Sequence, residues 1–174
     1  LRADNIRVKN ISAQNFNADM SLSEKMQLDL NNVDFNVAEG KVKGDFSYNL
    51  LNSKSSLNLK ATNVNADELS NALFDLPSQI YGSLTGEVAL ACNGKTHKTC
   101  METLSGKGGF KVENGRMPKL GSLEYLLKAS NLVKSGITGI SINSLIDLIT
   151  PLKTGQFESI TGNFTADSGI ANSI

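Results

Sequence analysis

Tryptophan is absent, histidine occurs once, cysteine twice, and the seventeen basic residues are matched by seventeen acidic ones. Each shortage excludes something. The charges are scattered and cancel, so the basic footprint on which nucleic-acid binding relies is missing, and no DNA or RNA partner is expected. No apolar run approaches the roughly 20 residues that cross a bilayer as a helix. No basic-then-apolar N-terminus reads as a signal peptide. Any membrane anchor is therefore expected outside this sequence. The chain opens Leu1-Arg2-Ala3 and both ends run through sheet-like sequence, so it reads as a piece of a larger protein.

A lone histidine leaves little for nucleophilic or acid–base catalysis. His97 lies in a polar stretch, and no strained serine motif occurs anywhere. Asp67 and Glu68 read as first-turn helix charges, favourable near the positive end of a helix dipole, rather than as paired catalytic carboxylates. Gly106-Lys107-Gly108-Gly109 precedes a strand instead of opening a helix, which argues against a phosphate cradle. No catalytic residue and no cofactor is expected. The chain reads as non-enzymatic, and a hydrolase completed by sequence elsewhere is the weakest alternative.

Cys92 and Cys100 are eight positions apart with Asn93-Gly94 turning the chain, so a hairpin disulfide is the favoured reading. Free thiols come next. A metal site comes last, because His97 with the two cysteines makes three ligands where recognised zinc patterns have four. The oxidised reading implies an extracytoplasmic compartment.

What the chain has in plenty is asparagine and serine, nineteen of each among 174 residues. Their short polar groups compete for backbone hydrogen bonds and suit turns and solvated sheet faces. The apolar residues between them alternate with period two. Met26, Leu28 and Leu30 alternate, then Val33, Phe35 and Val37 alternate in the opposite phase, and the slip at Asn31-Asn32 predicts a bulge or a turn. Val42, Phe46, Tyr48 and Leu50 follow Glu39-Gly40, and Leu57, Leu59 and Ala61 follow Asn52-Ser53. Segments of this kind joined by short turns indicate an antiparallel meander.

The longest uninterrupted alternation runs from Ile80 to Cys92. It places Ile80, Leu84, Val88 and Leu90 on one face, opposite Tyr81, Ser83, Thr85 and Glu87.

Helical signals interrupt the sheet three times. Asn65-Ala66-Asp67-Glu68 reads as a cap before Leu69, Ala72, Leu73 and Leu76, ending at Pro77. Leu120, Leu123, Leu126, Leu127 and Val133 share a helical face. Ile142, Leu145, Ile146 and Ile149 form a third, which stops at Pro151. The expected fold is mainly β with a few short helices: an elongated, curled antiparallel sheet capped by a helical insertion. It is one unit, with a strand meander over 1–64, a helix and strand pair over 65–117, the insertion over 118–152 and a return to sheet over 153–174. Leu123, Leu126, Leu127, Leu145, Ile146 and Ile149 are expected to cover one end of the apolar face as a plug.

Two readings of the apolar face stay open. It is a core closed beneath helices and a second sheet, as in a structural or adhesive domain, or it is a groove for acyl chains, which bind non-directionally in proportion to buried area.

A family resemblance bears on that choice. Gln79-Ile80-Tyr81-Gly82-Ser83-Leu84-Thr85-Gly86 is followed by Leu104-Ser105-Gly106-Lys107-Gly108-Gly109-Phe110, by Val112-Glu113-Asn114-Gly115-Arg116, and later by Phe157-Glu158-Ser159-Ile160-Thr161-Gly162-Asn163-Phe164. This succession, over about three fifths of the chain, resembles the C-terminal region of AsmA-family envelope proteins. The resemblance implies an elongated, curled sheet with a hydrophobic inner channel, a periplasmic location and inner-membrane anchorage at a distant N-terminus. It also implies a phospholipid or other acyl-chain lipid as partner, in lipid traffic or outer-membrane homeostasis. It supplies no catalytic residues.

Overall fold

The computed structural model describes residues 1–8, 10–74, 78–118 and 155–173. Its strands follow one another in chain order: β1 (Arg2–Val8), β2 (Ile11–Leu22), β3 (Gln27–Val37), β4 (Gly40–Asn49), β5 (Lys54–Asn65), β6 (Tyr81–Asn93), β7 (Ser105–Arg116), β8 (Gln156–Asp167) and β9 (Ile170–Ser173). Helix α1 (Ala66–Phe74) joins β5 to β6, and α2 (His97–Glu102) joins β6 to β7. The nine strands form one antiparallel sheet in the order β1 to β9. Among the described residues there is no second sheet.

Asparagine bends this sheet. Asn15, Asn32, Asn63 and Asn114 all have φ between 50° and 54°, the left-handed region that asparagine tolerates better than most residues with a Cβ. Each sits where its strand carries one residue more than its partner: β2 after Gln14, β3 after Leu30, β5 after Ala61 and β7 after Glu113. These are β-bulges, which kink the strand and increase its twist. The phase slip at Asn31-Asn32 is thus a bulge and no turn. Because the extra residue absorbs the slip, Leu28, Leu30, Val33, Phe35 and Val37 pair across with Tyr48, Phe46, Gly44, Val42 and Gly40 and share one face.

Glycine and phenylalanine interlock across β7 and β8. Phe164 stands opposite Gly108, Phe110 opposite Gly162 and Phe157 opposite Gly115. A Cβ on Gly108 would meet the Phe164 ring at 2.5 Å, and one on Gly162 the Phe110 ring at 2.6 Å. Each ring occupies the space a side chain on the opposite glycine would need. Cross-strand pairs of this kind are the unit of sheet stabilisation, and an aromatic covers the backbone that glycine exposes. Gly106-Lys107-Gly108-Gly109 lies inside β7, so the expectation that it precedes a strand is corrected: its glycines are seats for neighbouring side chains.

The core gathers at one end of the strands. Val37, Val42 and Val64 pack with Leu69 of α1, while Ala66, Val112, Met117, Phe157 and Ile160 pack with Ile80 and Leu84. The largest fully buried side chains are Val64 and Val112, each 1% exposed. The helix expected from Asn65 onward is α1. Asn65 Oδ1 accepts from the N–H groups of Asp67 at 3.1 Å and Glu68 at 3.3 Å, satisfying two of the donors a helix start leaves free.

Three further details differ from expectation. Met26 lies in the β2–β3 turn with φ 57°, and Leu50 lies in the β4–β5 turn, so neither continues its strand alternation. His97, read as part of a turn, opens α2, whose Thr96 and Thr99 form a reciprocal capping box. The helical insertion, with Leu123, Leu126, Leu127, Leu145, Ile146 and Ile149, lies outside the described residues.

Candidate functional site

The bulges and pairings arrange the apolar face in transverse rows. One row runs Val33, Gly44, Leu59, Val88, Gly108 and Phe164 from β3 to β8. The next, toward the far end of the strands, runs Leu30, Phe46, Leu57, Leu90, Gly106 and Ala166. On the α1 side, Val64, Leu84, Val112 and Ile160 make a row that belongs to the core.

The four face residues read from the sequence therefore divide. Ile80 and Leu84 pack against the Val112 and Ile160 cluster. Val88 and Leu90 belong to neither buried cluster and stay partly exposed, opposite Gly108 and Gly106 of β7. Strand β6 is thus core at its start and uncovered, among the described residues, over its second half.

The other face is polar and carries a charge ladder. Asp34 of β3 pairs with Lys43 of β4, which pairs with Lys60 of β5, which pairs with Glu87 of β6. Lys43 and Lys60 stand directly opposite as like charges, an arrangement that costs stability unless flanking acids offset it; here one acid lies beyond each end of the pair. Asp34 Oδ1 accepts from Lys41 Nζ at 3.1 Å and Asp34 Oδ2 from Lys43 Nζ at 3.4 Å. The hydrogen bond from the Lys41 ammonium, foremost, and the charges of both lysines hold the Asp34 carboxyl below its ordinary pKa, against desolvation that acts to raise it.

A trough of about 880 Å³ crosses the middle of the sheet from β2 to β8. Its lining follows the row of Val33, Gly44, Leu59, Val88, Gly108 and Phe164 with the chain neighbours of each. Of the four face residues Val88 alone lines it.

Cys92 and Cys100 form a disulfide with their Cα atoms 5.0 Å apart, as the spacing favoured. It ties the end of β6 to α2. Ser55 on β5 directs its hydroxyl at Cys92 Sγ, 3.0 Å away; since a disulfide sulfur carries no proton, the serine is the donor. Among the described residues no helix is long and apolar enough to cross a membrane.

Sequence reasoning missed the hairpin tips. Leu22, Met26, Leu50 and Leu51 are all exposed, Leu51 to 71%. The signal was two consecutive leucines set between Asn49 and Asn52-Ser53, where turn residues leave no strand for them to join.

Compared with protein-family models, with curated proteins and with solved structures, the chain finds no match in any of the three.

Proposed function

We propose that this chain is a non-enzymatic segment of a bacterial envelope protein, lying in the periplasm, whose apolar sheet face holds the acyl chains of phospholipid. The observation that supports it most is the uncovered run of that face. Beyond the row of Leu84 and Val112, the side chains of Leu57, Val88 and Leu90 belong to neither buried cluster and meet no second layer among the described residues. Such a surface binds apolar chains in proportion to the area removed from water, about 25 cal/mol per Å². The disulfide agrees with an oxidising compartment. The AsmA-like succession of motifs supplies the envelope context and the membrane anchor, which would lie in other sequence.

Paired substitutions test the reading. Leu84→Glu introduces a charge into the buried end and is expected to cost several kcal/mol, about 3 or more, with loss of folding. Val88→Glu and Leu90→Glu lie in the uncovered stretch, where a carboxylate reaches water; they are expected to keep the fold and lose uptake of a fluorescent acyl probe. Mass spectrometry of gently extracted wild-type protein should find co-purifying phospholipid. A wild type that carries no lipid and takes up no probe favours a structural or adhesive domain with a closed core, and folded Val88→Glu with full uptake removes this face from the function.

A further inference from the structure

The turns β2–β3, β4–β5, β6–β7 and β8–β9 all emerge at the end of the sheet opposite α1, and backbone hydrogen bonds tie them into a continuous rim. The Leu50 N–H donates to the Met26 carbonyl at 2.9 Å, that of Gly94 to Ser53 at 3.1 Å and that of Gly169 to Leu104 at 3.0 Å. Asn49 joins the first two tips again, its Nδ2 donating to the Lys25 carbonyl at 3.3 Å.

Within this rim the β4–β5 turn is rigidly built. Asn49 Oδ1 accepts from the N–H groups of Leu51 and Asn52, and Asn52 Oδ1 from that of Lys54. Ser53, with φ 58°, is buried beneath it. A turn fixed in this way has no freedom to fold its leucines back onto the sheet. Leu50 and Leu51 are held outward beside Leu22 and Met26, and Lys25 and Lys54 flank them, both exposed. Lys95 and Lys98 continue the basic side along the β6–β7 turn, against Glu24, Glu102 and Asp167, and Glu102 is already paired with Lys98 at 3.9 Å. At the other end of the strands the exposed charges are mixed, with Arg7, Lys41 and Arg116 standing among Glu39 and Glu68.

We infer that this rim docks on an anionic lipid bilayer, with Leu50, Leu51 and Met26 entering the headgroup layer and Lys25 and Lys54 facing lipid phosphates. Apolar side chains projecting from turns and flanked by lysines combine the two attractions of an interfacial anchor, burial at the acyl boundary and charge attraction to anionic lipid.

Sedimentation with phosphatidylcholine vesicles containing about one third phosphatidylglycerol tests the inference. The wild type should bind, and raising the salt should weaken binding by screening the lysines. Leu50→Ser with Leu51→Ser should weaken it about tenfold or more, and Lys25→Glu with Lys54→Glu should remove the preference for anionic over neutral vesicles, with unchanged thermal unfolding in both. Val88→Glu, outside the rim, should leave vesicle binding intact, which keeps this result separate from the fate of the acyl-binding face. Absence of wild-type binding, or binding that survives the double leucine change, overturns the inference. Self-association lost in the same double variant, without vesicle binding, assigns the rim to a second copy instead.

Discussion

The backbone N–H of Asn65 donates to the carbonyl of Ala38 at 2.8 Å, linking the start of α1 to the turn between β3 and β4. The same residue reaches further: its Nδ2 donates to Glu39 Oε2 at 3.3 Å while its Oδ1 caps the helix. Ala38 and Glu39 both have positive φ, 45° and 62°, at about 1–2 kcal/mol each for residues with a Cβ. Asn65→Ala keeps the backbone bond but loses the cap and the side-chain tie. The expected loss is about 1–2 kcal/mol of unfolding free energy, read by denaturant titration; a midpoint that does not move would mean that α1 is not coupled to the sheet.

Relieving the turn should act in the opposite direction. Ala38→Gly removes the Cβ from a left-handed position and is expected to raise stability by about 0.5–1 kcal/mol, checked by the same titration.

The interlocked rings predict a cost for the smallest addition to the sheet. Gly162→Ala places a methyl group against the Phe110 ring, and Gly108→Ala one against Phe164. Each is expected to destabilise by about 1–3 kcal/mol through ring displacement. Phe110→Ala in the Gly162→Ala background should recover part of the loss, and a double-mutant cycle measures how much.

The Cys92–Cys100 disulfide should resist alkylating reagents until the protein is reduced. Replacing both cysteines by alanine is expected to lower stability by about 2–3 kcal/mol, as the closure of a short loop in the unfolded chain is lost. Intact-mass measurement after alkylation and thermal unfolding are the readouts. Two thiols modified in native protein, or an unmoved melting temperature in the alanine pair, would contradict this account.

Asp34 predicts a pH dependence. Its folded pKa lies below its ordinary value, so its contribution is fully present above the unfolded carboxylate pKa and is lost as the pH falls through the folded one. Asp34→Asn should therefore lower stability slightly at neutral pH and leave the acid extreme unchanged, so that the acid limb flattens by that same small amount, small because solvent screens the group. A variant whose acid limb superimposes on the wild type would remove Asp34 from that dependence.

Much of this fold is legible in the sequence because a sheet writes its two faces into alternate residues. Strand β6 was expected over Ile80–Cys92 and spans Tyr81–Asn93, and the bulge at Asn32 showed itself as a break in phase. The bulges at Asn15, Asn63 and Asn114 went unread because an asparagine able to adopt positive φ looks the same in a turn as inside a strand. Helix α2 was hidden for a different reason: it is six residues long, too short for a helical period, and is fixed by its cap and the disulfide. The division of β6 into Leu84 in the core and Val88 outside it depends on what α1 covers. No single strand's pattern contains that information.

Because every strand pairs only with its neighbours in the chain, the sheet has the connectivity of a zipper. Ordering can begin at any hairpin and spread outward one strand at a time, with short loops to close at most steps and one long closure, over residues 117–155, between β7 and β8. The same arrangement makes hairpins interchangeable units in evolution. A pair of strands gained or lost within such a meander leaves the pairing of the others unchanged, so a chain of this plan can vary in length across a lineage without redesign of its remaining contacts.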